Sequence, residues 1–156
     1  ILCYDDCLPA LHHLSEAKHI NLYGCETLTD DNLKHLGNIK KINIGYCTKI
    51  TDRGIKMLAG VHTIDLSWCK KVTDKGVMAL SGVHTIKLSC TSIVGQCFKS
   101  LAASAHDVDI SYTKIADRYI KDLSGIHTIN ITGCKGITVA SIKALVGVHK
   151  VIKPDT

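Results

Sequence analysis

Val61-His-Thr-Ile-Asp-Leu-Ser-Trp-Cys-Lys-Lys-Val-Thr-Asp-Lys-Gly-Val-Met-Ala-Leu80 decides the architecture, because its parts recur along the whole chain. Val83-His-Thr-Ile-Lys-Leu-Ser89 and Ile126-His-Thr-Ile-Asn-Ile-Thr-Gly-Cys134 repeat its opening. Each copy reads as a short strand, a loop with a Cys, and a short helix. One such unit cannot bury its own apolar face, so the copies must stack into a solenoid.

Aligned on the strands, the apolar pairs are Ile20/Leu22, Ile42/Ile44, Ile64/Leu66, Ile86/Leu88, Val108/Ile110 and Ile129/Ile131, and a seventh strand starts near Val151. Strict alternation puts these residues on one face and polar residues on the other. A further apolar residue precedes each strand, from Ala17 and Ile39 to Ile126 and Val148. Cys25, Cys47, Cys69 and Cys134 hold one slot after the strand, with Thr91 and Thr113 substituting; a thiol or hydroxyl there can bond the loop backbone. Thr29-Asp30, Thr51-Asp52, Thr73-Asp74 and the degraded Ala116-Asp117 follow as helix N-cap signals. Apolar residues three apart then mark each helix, from Leu33/Leu36 to Ile142/Leu145. Gly60, Gly82, Gly125 and Gly147 are placed to stop them. The expected fold is α/β: about seven parallel strands forming a concave sheet, with short helices on the convex side.

Residues 18 to about 152 carry a resemblance. The run Ile64-Asp-Leu-Ser-Trp-Cys69, then Val72-Thr-Asp74 and Gly76-Val77, resembles the cysteine-containing subfamily of leucine-rich repeats. The resemblance implies a right-handed horseshoe solenoid and a role in binding proteins. It also implies a specific setting, since such repeats form the substrate-recognition part of F-box proteins in cullin-type ubiquitin ligases. This chain's helix-to-strand link is shorter, trimmed to Gly-Val-His or Gly-Ile-His.

The 156 residues make one expected domain: 1–17 a helical half-repeat or N-terminal cap, 18–149 six repeats, and 150–156 a truncated last strand. Leu8, Leu11 and Leu14 supply the helical spacing at the start, and the strand ending without a polar cap reads as a cut from a longer array. One unit breaks the pattern. Ser89-Cys-Thr-Ser-Ile-Val-Gly-Gln-Cys97 loses a residue before Ile93 and lacks Thr-Asp, and an extra residue appears in Ala102-Ala-Ser-Ala-His106. This is either repeat drift or a loop that shapes a binding face.

The composition excludes several classes. The net charge of +5 comes from scattered Lys, with no run of five basic residues, so no nucleic-acid tail is expected. No apolar stretch approaches a membrane span. Eight cysteines used periodically are not a disulfide framework, and reduced thiols suggest a cytoplasmic or nuclear compartment. Every Asp, His and Cys recurs because the repeat recurs, so no catalytic residue, cofactor or metal ligand is assigned. Cys3-x-x-x-Cys7 is a bare metal hint with no matching pair nearby.

The remaining candidates lie where the units differ. Tyr23, Tyr46, Trp68 and Tyr112 cluster at the strand ends, and aromatics are the usual anchors of interfaces. Asn43, Asp65, Lys87 and Asp109 project from the strands' polar face, and their mixed signs suit a protein or peptide better than nucleic acid. The predicted partner-binding set is Tyr46, Trp68, Tyr112, Asp65, Lys87, Asp109 and Asn43. The predicted function is non-catalytic protein or peptide binding on the concave face, with a ubiquitin-ligase scaffold as the implied assembly. His62, His84, His106, His127 and His149 share one slot and predict a ladder. They carry the alternative of a small-ligand, metal or pH sensor; a structural spacer is the other alternative.

Overall fold

The computed structural model describes Leu11 and residues 17–153. Seven three-residue strands form one sheet in chain order: β1 (His19–Asn21), β2 (Lys41–Asn43), β3 (Thr63–Asp65), β4 (Thr85–Lys87), β5 (Asp107–Asp109), β6 (Thr128–Asn130) and β7 (Lys150–Ile152). Every pair is parallel, and equivalent residues face each other throughout: Ile20, Ile42, Ile64, Ile86, Val108, Ile129 and Val151 lie in one row. The irregular unit does not disturb this register. The residue it loses before Ile93 and the residue it regains before His106 cancel within the unit. The expected parallel solenoid is the observed fold. The expected N-terminal half-repeat lies outside the described residues, apart from the buried Leu11.

Each connection returns through a helix of one or two turns: α1 (Asp30–Leu33), α2 (Asp52–Lys56), α3 (Asp74–Val77), α4 (Phe98–Leu101), a 3₁₀ helix (Asp117–Leu123) and α5 (Val139–Lys143). Helices this short have no stability of their own and exist only as packed layers. One aliphatic core runs between sheet and helices. Leu22, Ile44, Leu66, Leu88 and Ile110 are fully buried under the strand ends, and Leu28, Ile50, Val72, Ile93 and Ile115 under the loops. α2, α3 and α5 end several residues short of their glycines, whereas Gly125 directly follows the Ser124 cap of the 3₁₀ helix. Of the four expected stops, Gly82, Gly125 and Gly147 take the left-handed conformation and Gly60 does not.

Thr29, Thr51 and Thr73 are N-caps, as expected; Ala116 precedes the 3₁₀ helix without a side-chain cap, and Thr138, which the Thr-Asp pattern did not mark, caps α5. The Asp that follows does more than sit at a positive helix end. Asp30 accepts from the amide and hydroxyl of Thr51 in the next unit, at 2.9 and 2.6 Å. Asp52 accepts the same pair from Thr73 at 2.7 and 2.6 Å, and Asp117 accepts them from Thr138 at 2.8 and 3.1 Å. These charge-assisted bonds clasp each helix to its neighbour. The clasp also dictates the helix interior. A Cβ on Gly54 would collide with the Asp30 carboxylate, and one on Gly76 would stand 2.5 Å from Asp52 Oδ1.

In the irregular unit the clasp is rewired. With no Thr to hold, the buried Asp74 accepts three backbone amides, from Val94 at 2.8 Å and from Gly95 and Cys97 at 3.0 Å. Gly95 has a φ of +108°, and a Cβ there would stand 2.8 Å from Tyr119 Cβ of the next unit.

Candidate functional site

The polar row of the sheet brings four predicted residues together. Asn43, Asp65, Lys87 and Asp109 lie side by side on β2 to β5. Three of them have a second task. Asn43 Oδ1 accepts the Gly45 amide at 2.9 Å, Asp65 Oδ1 the Ser67 amide at 3.0 Å, and Asp109 Oδ1 the Ser111 amide at 2.9 Å. Asn21 and Asn130 do the same, so this slot favours Asx because it closes the turn leaving the strand. Lys87 is the exception. It is exposed, makes no turn bond, and lies 3.6 Å from Asp65 Oδ2 on the adjacent strand.

The turn itself positions the aromatics. Cys25, Cys47, Cys69 and Thr91 donate their amides to the carbonyl three residues back: Leu22 at 3.1 Å, Ile44 at 3.2 Å, Leu66 at 3.0 Å and Leu88 at 3.2 Å. The residue before each of these needs positive φ, as the third position of a type II turn does. Gly24 and Gly133 fill that slot with φ of 70° and 71°. Tyr46 (64°), Trp68 (67°), Cys90 (58°) and Tyr112 (56°) fill it without glycine's freedom. Each non-glycine residue there is strained by about 1–2 kcal/mol. The conformation is enforced from outside: Tyr46, Trp68, Cys90 and Tyr112 donate their amides to the next unit's Ser67, Ser89, Ser111 and Thr132 carbonyls at 2.7–3.1 Å, extending the sheet ladder beyond the strand.

The result is a ledge of exposed rings beside the strand ends. Tyr46 and Trp68 are in contact, with centroids 6.1 Å apart. Tyr23 stands one slot earlier than the other three, over Gly45, and its ring reaches Tyr46 at 6.3 Å. Tyr112 lies over Gly133. Between Trp68 and Tyr112 the ladder has a missing rung, because the slot holds Cys90. A cleft of about 460 Å³ opens there, lined by Trp68, Cys90, Thr91, Ile93 and Tyr112 with Lys70 and Lys114 at its rim.

The loops beside the cleft differ in length from the others. Cys47 and Cys69 are followed three residues on by the buried Ile50 and Val72, whereas Thr91 and Thr113 are followed only two on by Ile93 and Ile115. The two loops with Thr in the Cys slot are the two that are one residue shorter. Cys47 and Cys69 donate their thiols back to the preceding unit's carbonyls, at Leu22 (3.2 Å) and Ile44 (3.1 Å). Thr91 and Thr113 donate to their own strand ends, at Leu88 (2.7 Å) and Ile110 (2.5 Å). Desolvation by burial pushes the Cys47 thiol up to about 12 and the Cys69 thiol up to about 11, and it pushes Cys97 up as well. These thiols are structural donors, not nucleophiles.

The histidine ladder forms at the opposite ends of the strands. Neighbouring rings from His62 to His149 stack at 4.3–4.9 Å with interplanar angles of 8–22°. His62, His84 and His127 place Nδ1 3.1–3.4 Å from the Thr hydroxyl that follows, and His106 places it 3.1 Å from Asp107. Burial works to raise the Asp107 carboxyl, but its bonds to His106 and Thr128 outweigh that and hold it below the usual range. His84, His106 and Asp107 bring ligand atoms within 4.8 Å of one another. Donors on one tetrahedral zinc stand only about 3.4 Å apart and converge on a point. Parallel stacked rings aim their nitrogens side by side instead.

Comparison with known proteins supports the fold. A family model described as Leucine Rich repeat matches residues 32–59 and 61–81. No curated protein matches the chain in sequence at a significant level. Internalin C2 of Listeria monocytogenes superposes with a TM-score of 0.57 at 14% identity, covering 96% of this chain and 92% of that one. Internalin F of the same organism gives 0.61 at 15%, covering 94% and 52%. The TLR13 chain of a TLR13–ssRNA13 complex gives 0.61 at 14%, covering 85% of this chain; the chain spans about a fifth (21%) of TLR13's length. Among the described residues no helix is long and apolar enough to cross a membrane. The repeat, the unbroken parallel sheet and these likenesses agree: the chain folds as a leucine-rich-repeat solenoid.

Proposed function

We propose that this solenoid is a non-catalytic module that binds a protein or peptide on its open, concave sheet face and the adjoining aromatic ledge. The observation that carries the proposal is the contrast between the two sides of one strand. Ile42, Ile64, Ile86 and Val108 scarcely change from unit to unit, while Asn43, Asp65, Lys87 and Asp109 beside them change sign. Exposed Tyr46, Trp68 and Tyr112 at the end of that row supply rigid apolar contact, and each is kept at a backbone position that strains it. Strain of this kind persists where the side chain is used. Substrate recognition within a ubiquitin ligase, in a cytoplasmic or nuclear compartment, is the setting that the resemblance of the repeats favours.

The test is a pulldown from the source cell with Tyr46→Ser/Lys87→Glu, two positions with no bond in the turn side chains. Lys99→Glu/Lys121→Glu, on the exposed helical side, is the control. The expected result is loss of bound partner for the first variant alone. Retention by the first, or equal loss by both, overturns the proposal.

A further inference from the structure

We infer that the missing rung between Trp68 and Tyr112 takes a single aromatic side chain from an acidic peptide segment, an inference that rests on the peptide-binding reading above. Trp68 and Tyr112 arise from equivalent positions two strands apart, a span of about 9.6 Å. One flat ring in carbon contact with a wall on each side needs about 7–8 Å between the walls. The ladder is already closed on the other side, where Tyr46 packs against Trp68. Beyond Tyr112 the rung is Gly133, so among the described residues the gap walled by a ring on both sides is the one between Trp68 and Tyr112.

The rim states the charge of the ligand. Lys70 and Lys114 flank the slot, Lys49 and Lys71 precede it, and Lys135 follows. All five are exposed, and among the described residues none has a carboxylate within ion-pair distance. Lys70 Nζ instead sits 5.8 Å from the Trp68 ring centroid. A row of unpaired ammonium groups beside an apolar slot fits carboxylates flanking an aromatic residue. A nucleic-acid strand fits less well. It stacks base after base on successive rings, and here Asp65 and Asp109 lie on the strands that lead into both walls.

Trp68 is the chain's only tryptophan, so its emission reports the slot directly. The experiment titrates the protein with Ac-Glu-Glu-Phe-Glu-Glu-NH2, with versions carrying Ala at the centre or Lys at the flanks, and with oligothymidylate. The expected result is a saturable change in Trp68 emission with the Phe/Glu peptide. The other two peptides should bind at least about tenfold more weakly, and Lys70→Glu/Lys114→Glu should weaken the Phe/Glu peptide by at least about tenfold. Cys90→Tyr fills the rung with a residue its slot already accepts at Tyr46 and Tyr112, and should abolish the response with the urea midpoint unchanged. Tyr112→Ser removes one wall and gives the same loss should Cys90→Tyr unfold.

No saturable change with the Phe/Glu peptide overturns the inference. So does an equal response to the Lys-flanked peptide, or an undiminished response in natively folded Cys90→Tyr. Oligothymidylate saturating at lower concentration than the peptide overturns it in favour of a nucleic-acid strand. Tyr46 and Lys87 do not line the slot. Partner loss from Tyr46→Ser/Lys87→Glu without a peptide response therefore overturns the slot's occupant alone, and the converse overturns the sheet-face reading alone.

Discussion

The Asp74 carboxylate holds the Gly95 amide at 3.0 Å across the boundary between the third and fourth units. The same carboxylate takes the amides of Val94 and Cys97, so one buried side chain anchors the loop that replaces a Thr-capped one. Asp74→Ala would leave three amides without their acceptor, in a site too buried for water to replace it freely. It should cost about 3 kcal/mol or more, since bonds to a charged group contribute about 1.5–3 kcal/mol each and are not additive. Asp52→Ala, which breaks two bonds of the ordinary clasp, should cost less. Urea unfolding of the two variants checks the order; an equal or reversed cost contradicts the rewired clasp.

Gly54 and Gly76 are glycines because the neighbouring Asp stands where a Cβ would go. Gly76→Ala should destabilise by about 1–3 kcal/mol, the range for overpacking a well-filled site. Gly54→Ala should cost a similar amount, and markedly less in the Asp30→Ala background, which removes the carboxylate it meets; a Cβ on Gly76 would also stand 2.9 Å from Asp52 Cα, which a change of side chain would leave in place. A double-mutant cycle by denaturant titration reads the coupling, and additive costs would show that the glycine answers to something else.

Tyr112→Gly should leave stability within about 1 kcal/mol of the parent, because relief of left-handed strain offsets the lost contact with Gly133. Half-buried Thr85, in a strand of ordinary conformation, should lose more when changed to Gly. Thermal melts of the two variants decide it.

Thiol reactivity should follow burial. With burial holding Cys47 near 12 and Cys69 near 11, neither is ionised at pH 8. Among the six described cysteines, the half-exposed Cys90 should be the first alkylated by iodoacetamide, as read by peptide mass mapping. Rapid labelling of Cys47 in the native protein would mean that the thiol layer opens.

The stacked histidines should give no binding heat with micromolar zinc, because their nitrogens run in a line. Saturable heat lost in His84→Ala/His106→Ala would restore the metal-sensor alternative.

Sequence periodicity made the sheet, its register and the buried Cys slot legible, because each depends on one residue type recurring at one spacing. Three features needed coordinates. The Asp of Thr-Asp reads as a local helix signal, yet its bonds run to the next unit, and periodicity cannot show which neighbour a side chain reaches. The strained turn was written in Gly24 and Gly133, which share a slot with Tyr46, Trp68, Cys90 and Tyr112; an aromatic alternating with Gly marks positive φ. Thr at the Cys slot and the residue lost after it are one event, repeated at 91 and 113, while the cleft opens where Cys90 stands in the aromatic slot. Of the predicted binding residues, Asn43, Asp65 and Asp109 also close turns, which alternation in a strand does not reveal.

Partners are proposed to meet the sheet face and its ledge, not the helical side. Photo-crosslinking tests this most directly, with benzoylphenylalanine placed in turn at positions 46, 87, 99 and 121 and expressed in the source cell. The expected result is crosslinks to one common partner from 46 and 87 and none from 99 and 121. Crosslinks from 99 and 121 with silence at 46 and 87 would contradict it.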